Sequence, residues 1–362
     1  MFYKILLNLL LLVTFLLILY VIQTNKQIDV FHKSYNEENA EILNVSTSVS
    51  SVLFATTRVK NVSVIDQYFN IWCIFTKVKN RSSSLKYKFS TLITSVLQHS
   101  SVKLSFHIIS DAKSKYFAQI LFDDIRISSK VHVDFKVRFY DVRNITLQLS
   151  KLTSSMLPYF TSQPGSYYSD ALFFISLGLH QVAPESQNRA IMLDVDTKVV
   201  ADIALLFHEF NRFGKRAVLG IAPELSPVYH HILYLYRNHH KHSRLGAPLS
   251  TGGFPGVNSG VLLLDFQRLR LSDEYNQLLN PDAVKQMVDK YSFKGHLGDQ
   301  DFYTLVGFER PHLLHQLSCG WNHQLCEWWR DHGYRDVFDN FSHCSEPTLL
   351  YHGNCNTPIP QD

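Results

Sequence analysis

The sequence predicts an α/β fold with a mostly parallel central sheet, preceded by an N-terminal transmembrane helix. Three observations predict it. An apolar run fills residues 5–22, short apolar clusters alternate with longer helical patterns from residue 68 onward, and several of those clusters end in acids, imidazole or amides. Open α/β sheets gather their ligands at such strand ends.

Composition agrees and removes some alternatives. With 46% hydrophobic and 13% aromatic content in 362 residues the chain can bury a large core. Thirty-five Lys and Arg against 31 Asp and Glu give a formal charge of +4 without long single-sign blocks, so there is no nucleic-acid footprint.

The run at 5–22 is interrupted only by Asn8 and Thr14. At ~1.5 Å per residue a helix there spans roughly 27 Å, which suits the thinner bilayer of the endoplasmic reticulum. A cleaved signal peptide is the competing reading, but the run is long for one and residues 21–25 offer no small-residue cleavage site. With the tail 1–4 and Lys4 on the cytosolic side, the body lies in the lumen as a single-pass type II protein held in the membrane by this helix. The polar stretch 23–67 reads as a stem, and 68–362 as one catalytic domain. Five Asn-x-Ser/Thr sequons, at Asn44, Asn61, Asn80, Asn144 and Asn340, agree with a lumenal body. Cys319, Cys326, Cys344 and Cys355 crowd the last 44 residues while Cys73 stands apart. Lacking the CxxC spacing of zinc sites, the four read as disulfides in an oxidising compartment.

Within the domain the alternation runs strand 71–78, helix 85–99, strand 102–110, helix 116–125, strand 131–140 and helix 171–180. Strands at 190–195 and 260–266 and a helix at 281–291 follow. The stretch 229–242 is dense in histidine, with His230, His231, His239, His240 and His242, but no carboxylate or Cys accompanies them at ligand spacing, so it reads as a solvated helix end.

Four features carry chemistry. The apolar strand at 190–193 ends in Asp194-Val195-Asp196, and a spacing of two along a strand aims both carboxylates to one side. Spacing alone is weak: 21 Asp in the chain make about one such pair by chance. Position strengthens it, because paired hard oxygens at a strand end suit Mg²⁺ or Mn²⁺. A second apolar strand ends in His352-Gly353-Asn354, where an imidazole ligand favours Mn²⁺ and the glycine allows close approach to a phosphate. The third is a polar turn, Asn258-Ser259-Gly260, feeding a buried strand, and the fourth is Leu297-Gly298-Asp299-Gln300-Asp301 at a helix start, where Asp299 or Asp301 would cap free amides.

Together and in this order, these features resemble the family 8 glycosyltransferases of the GT-A fold across the whole region 68–362. Tyr167-Tyr168-Ser169-Asp170-Ala171, the run 295–301, Trp328-Trp329-Arg330-Asp331-His332-Gly333-Tyr334 and the run 351–360 are similar to blocks of its xylose-transferring members. The resemblance implies that Asp194, Asp196 and His352 hold Mn²⁺ against a UDP diphosphate and that Thr76, Lys77 and Val78 cradle uridine. It implies that Asp170, Val195, Asn258, Ser259 and Gln300 line the donor sugar, with Gly353 and Asn354 near the diphosphate or acceptor. Trp328, Leu297 and Asn354 would face the acceptor. Gln300 takes the place of a glycosidase nucleophile and is a poor nucleophile, which implies retention by a front-face route. The implied donor is UDP-xylose, and the implied acceptor is the xylose of a Xyl-α1,3-Glc-O-Ser glycan on EGF repeats of the Notch type. The alternatives are a family 8 enzyme using another UDP-hexose, and a lumenal glycan-binding protein without activity. Four cysteines allow three pairings; Cys319 with Cys344 and Cys326 with Cys355 is the expected one.

Overall fold

A computed structural model describes residues 68–79, 84–128, 132–161 and 170–361. The tail 1–4, the apolar run 5–22, the stem 23–67, the sequons at Asn44, Asn61 and Asn80 and the block residues 167–169 lie outside the described residues. No helix among the described residues is long and apolar enough to cross a membrane. Asn144 and Asn340 are exposed.

The strands are β1 (Phe69–Ile74), β2 (Leu104–Ser110), β3 (Phe135–Asp141), β4 (Arg189–Leu193), β5 (Thr197–Val199), β6 (Leu219–Pro223), β7 (Val257–Asp265), β8 (Leu314–Gln316), β9 (His323–Gln324) and β10 (Leu350–His352). Seven form a sheet in the order β3-β2-β1-β4-β7-β6-β8. β2 is buried at every position, as a central strand covered on both faces must be, whereas edge strand β3 alternates.

Along β1, β4 and β7 successive side chains enter opposite faces. Ile71, Cys73, Ile191, Leu193, Val261 and Leu263 join one core with Phe89, Leu92 and Val96 of α1 (Ser84–Gln98) and with Phe122 of α2 (Ala112–Ser128). Trp72, Ala190, Met192, Leu262 and Leu264 join the other, beneath α3 (Ser150–Phe160), α4 (Ile175–Val182), α5 (Pro281–Lys290) and α6 (Asp299–Glu309).

Pairing is parallel from β3 through β4 and again between β6 and β8, but β7 runs antiparallel to both its neighbours. That reversal matters for function. It brings the first residues of β7 beside the carboxyl ends of β4 and β6, so polar groups from three strand ends meet at one edge. A second sheet, β5-β10-β9, docks the C-terminal segment there.

Several boundaries differ from expectation. β1 ends at Ile74, and the 171–180 helix begins as a 3₁₀ turn before becoming regular at Ile175. Asp194-Val195-Asp196 is the turn between β4 and β5, so the two acids converge through turn geometry and not through strand alternation. Asn258 and Ser259 lie inside β7, where pairing with β6 extends to Val257. Gly298, at φ +70°, occupies the N-cap position of α6, and the amides there are met from within the first turn, Asp299 accepting from its own N–H and that of Gln300 and Asp301 from Leu297 N. The histidine stretch is not uniformly solvated, since His230 is buried and bonds to the Gly246 carbonyl oxygen at 2.9 Å.

Candidate active site

At the shared strand edge a cavity of about 1380 Å³ opens, lined by Asp194, Asp196 and His352 together with Asn258, Ser259 and Gln300. The two acids and the imidazole each offer a ligand atom, all within 4.8 Å of one another. His352 Nε2 lies 3.8 Å from Asp194 Oδ2 and 3.6 Å from Asp196 Oδ1.

The backbone fixes this convergence. Asp194 N donates to Gly260 O at 2.9 Å, and Gly353 N donates to Asp196 O at 2.8 Å, tying the turn to β7 and to the end of β10. The His352 ring is held from behind by Nδ1–H donating to Asn322 Oδ1 at 3.0 Å. That bond turns Nε2 toward the carboxylates, the orientation a metal-ligating imidazole needs, and although burial pushes the imidazole down, its bond to Asp196 and the charges of Asp196 and Asp194 outweigh that and hold it above its usual range. Gly260 makes room for the ring: a Cβ there would stand 2.2 Å from His352 Cε1. Two carboxylate oxygens and an imidazole nitrogen that gives up its proton to a bound ion suit a divalent cation.

The charges interact strongly. Burial in the cleft raises the Asp194 carboxyl to about 7, and the charge of Asp196 adds to it, although 56% of the Asp194 side chain is accessible from the cavity. Burial also pushes Asp196 upward, but the bond and charge of His352, with Lys88 beside it, outweigh that and hold it below the usual carboxylate range. Lys88 Nζ stands 3.3 Å from Asp196 Oδ2 and donates to Asn356 Oδ1 at 3.0 Å.

Thr76, Lys77, Asp170, Val195, Leu297, Trp328 and Asn354 also line the cavity. Lys77 pairs with Asp170 at 2.5 Å, and Trp328 is 49% exposed with its ring stacked on His332 at 3.9 Å between centroids. The Val78 side chain packs into the core, its N–H donating to Ser114 Oγ. Gly353 packs against the C-terminal tail on one side, for a Cβ there would meet Thr357 O at 2.6 Å. Asn354 uses its Oδ1 to accept from Leu325 N and Cys326 N.

The disulfides are Cys319–Cys344 and Cys326–Cys355, the pairing expected. The second ties the segment after β10 to the segment after β9, holding the strand that bears His352. Cys73 is a buried free thiol.

Beside Gln300, Asp299 accepts from Ser259 Oγ at 3.0 Å and from Ser176 Oγ, and Asp301 accepts from Tyr229 OH at 3.0 Å and Leu297 N at 2.7 Å. Burial raises their carboxyls to about 6 and about 7.

Sequence reasoning missed Lys88, Glu224 and Asn322. Glu224 had a signal, since it follows an apolar strand just as Asp194 does. Lys88 and Asn322 had none, being single polar residues in a helix and a short turn.

No protein-family model matches the chain. Over 303 residues, 83% of this chain and 76% of the relative, it is 41% identical to xyloside xylosyltransferase 1 of Mus musculus. It is 41% identical to the Homo sapiens protein of the same name over 298 residues, 81% of this chain and 75% of the relative. The crystal structure of the mouse enzyme in its apo form matches with a TM-score of 0.76, covering 81% of this chain and all of that one. The bifunctional glycosyltransferase WbbM, at 12% identity and a TM-score of 0.54 over 81% of this chain and 46% of its own, shares the fold alone.

Proposed function

The chain belongs to the xyloside xylosyltransferase family of glycosyltransferases, and from that premise we propose that it transfers xylose from UDP-xylose with retention of configuration. The acceptor is the xylose of a Xyl-α1,3-Glc-O-Ser glycan on EGF repeats, and the reaction takes place in the lumen of the endoplasmic reticulum, with residues 5–22 as the membrane anchor. The observation that carries this reading is the meeting of Asp194, Asp196 and His352 in one cavity with Gln300.

Asp194, Asp196 and His352 would hold Mn²⁺, which when bound supplies a Lewis acid against the charge that grows on departing UDP. Lys88 adds a second cation beside the same carboxylates. Asn258 and Ser259, at the start of β7, offer polar contacts to the donor sugar, and Gln300 directs an amide at its cationic centre. The exposed Trp328 face gives the acceptor a flat apolar surface of the kind sugars stack on. In a front-face route the acceptor hydroxyl bonds to the anomeric carbon on the side from which UDP leaves, and the departing phosphate oxygen takes its proton. The pyranose keeps its α configuration.

The test is a panel of UDP-xylose, UDP-glucose and UDP-galactose with xylosyl-glucose acceptor, with Mn²⁺ and again with EDTA, and the product anomer read by NMR. We expect UDP-xylose to be turned over fastest, an α product, and no transfer with EDTA. Preference for a hexose would transfer the assignment to that donor, and UDP binding without turnover or hydrolysis of any donor would leave a binding protein.

A second expectation concerns Gly260. Gly260→Ala drives a methyl group into the His352 ring and displaces Nε2. Mn²⁺ affinity, read from bound and free Mn²⁺ by EPR, is expected to fall about 10–100-fold. Unchanged affinity would remove His352 from the ligand set.

A further inference from the structure

Glu224 follows β6 directly, is 3% exposed, and among the described residues is ion-paired with no Lys or Arg. A buried carboxyl without a cation is costly unless its hydrogen bonds do something specific. Its Oε2 accepts from Asn258 Nδ2 at 3.0 Å and from Gln300 Nε2 at 3.1 Å. The same carboxyl also takes bonds from the N–H and the hydroxyl of Ser226.

This fixes the direction of every bond that follows. Gln300 must turn its amide oxygen away from Glu224, where it accepts from Ser259 N at a long 3.3 Å. Asn258 must turn Oδ1 away too, and there it accepts from Asn322 Nδ2 at 2.9 Å. Asn322 is then left with Oδ1 as the partner of His352 Nδ1–H, which turns Nε2 toward Asp194 and Asp196.

We propose that Glu224 is a positioning residue that, by accepting from both amides, sets the direction of a hydrogen-bond chain from Gln300 through Asn258 and Asn322 to His352, so one carboxyl orients both the sugar-facing amide and the metal-facing imidazole. This deepens the proposed function and rests on it.

The test uses Glu224→Gln, which keeps the volume but introduces an amide whose donor end competes with those of Gln300 and Asn258. The expected result is a kcat lower by about 10–100-fold and a Mn²⁺ affinity, measured by EPR without donor, lower by about tenfold. In a Gln300→Ala background the same change is expected to lower kcat by less than about threefold more, because the group it positions is gone. A merely structural Glu224 would lower the melting temperature, leave Mn²⁺ affinity intact and give additive effects, and that pattern overturns the proposal. If Glu224→Gln does not fold, Asn258→Asp places an acceptor where Oε2 needs a donor and is expected to show the same loss of Mn²⁺ affinity; retained affinity counts against the proposal. Wild-type protein inactive with every UDP-sugar defeats the functional reading, whereas an active wild type with an unaltered Glu224→Gln defeats this inference alone.

Discussion

Asp196→Ala is expected to leave a folded protein whose kcat/KM for transfer is lower by about 10³-fold or more, roughly 4 kcal/mol of lost transition-state stabilisation. Asp196 faces His352 at 3.6 Å and Lys88 at 3.3 Å, so it stands between both groups that can oppose diphosphate charge. Removing it takes away one of three ligands and leaves two, too few to compete with water for a labile divalent ion. The fold should survive. Asp196 is a turn residue whose backbone oxygen, which the substitution keeps, holds Gly353 N. Its charge also helps raise the Asp194 carboxyl, so its removal relieves repulsion while forfeiting the pairing with Lys88. The check is transfer activity beside a thermal melt and EPR titration of Mn²⁺. Wild-type activity in the variant, or in the parent protein with EDTA, would remove the metal from the mechanism.

Much of this site was legible because the sheet punctuates its own sequence. Apolar clusters had to be strands buried between two helical layers, and each polar residue ending one had to lie at an edge. The direction of β7 was not legible, since a fully buried strand reads the same either way along, and without its reversal Asn258 and Ser259 could only be placed in a turn. Nor could the pattern show that Asp194 and Asp196 leave the strand before they converge. The packing of Val78 was not legible for a related reason: β1 stops at Ile74, and the Val78 side chain beyond it enters the core. Glu224 went unnoticed because a lone acid after a Pro looks like a surface turn until the fold buries it. His230 shows the converse, a histidine in a polar run that tertiary packing draws inside.

Gln300→Ala is expected to lower kcat by about 10²-fold while the affinity for UDP with Mn²⁺ changes by less than about threefold. Gln300 is 8% exposed and lines the cavity, but it makes none of the contacts among Asp194, Asp196, His352 and Lys88 that would hold the diphosphate. Its loss should therefore appear where sugar charge develops and not where UDP binds. The neighbouring acids are poorly placed to act as covalent nucleophiles. Both Asp301 oxygens are taken, by Tyr229 OH and Leu297 N, and its side chain is fully buried. Asp299 lines the cavity, yet its two oxygens accept from Ser176 and Ser259, which lowers the nucleophilicity of each. Gln300→Glu should not create a glycosidase-like nucleophile either. The new carboxylate would stand about 3 Å from Glu224 Oε2, where the amide nitrogen now donates at 3.1 Å, and the two acids would share a proton. Steady-state kinetics with calorimetric UDP titration checks the first claim, and intact-protein mass spectrometry after donor incubation checks the second. Unchanged kcat in Gln300→Ala, or a pentosyl adduct on Asp299 or Asp301 in the parent enzyme, would replace the front-face route with a double displacement.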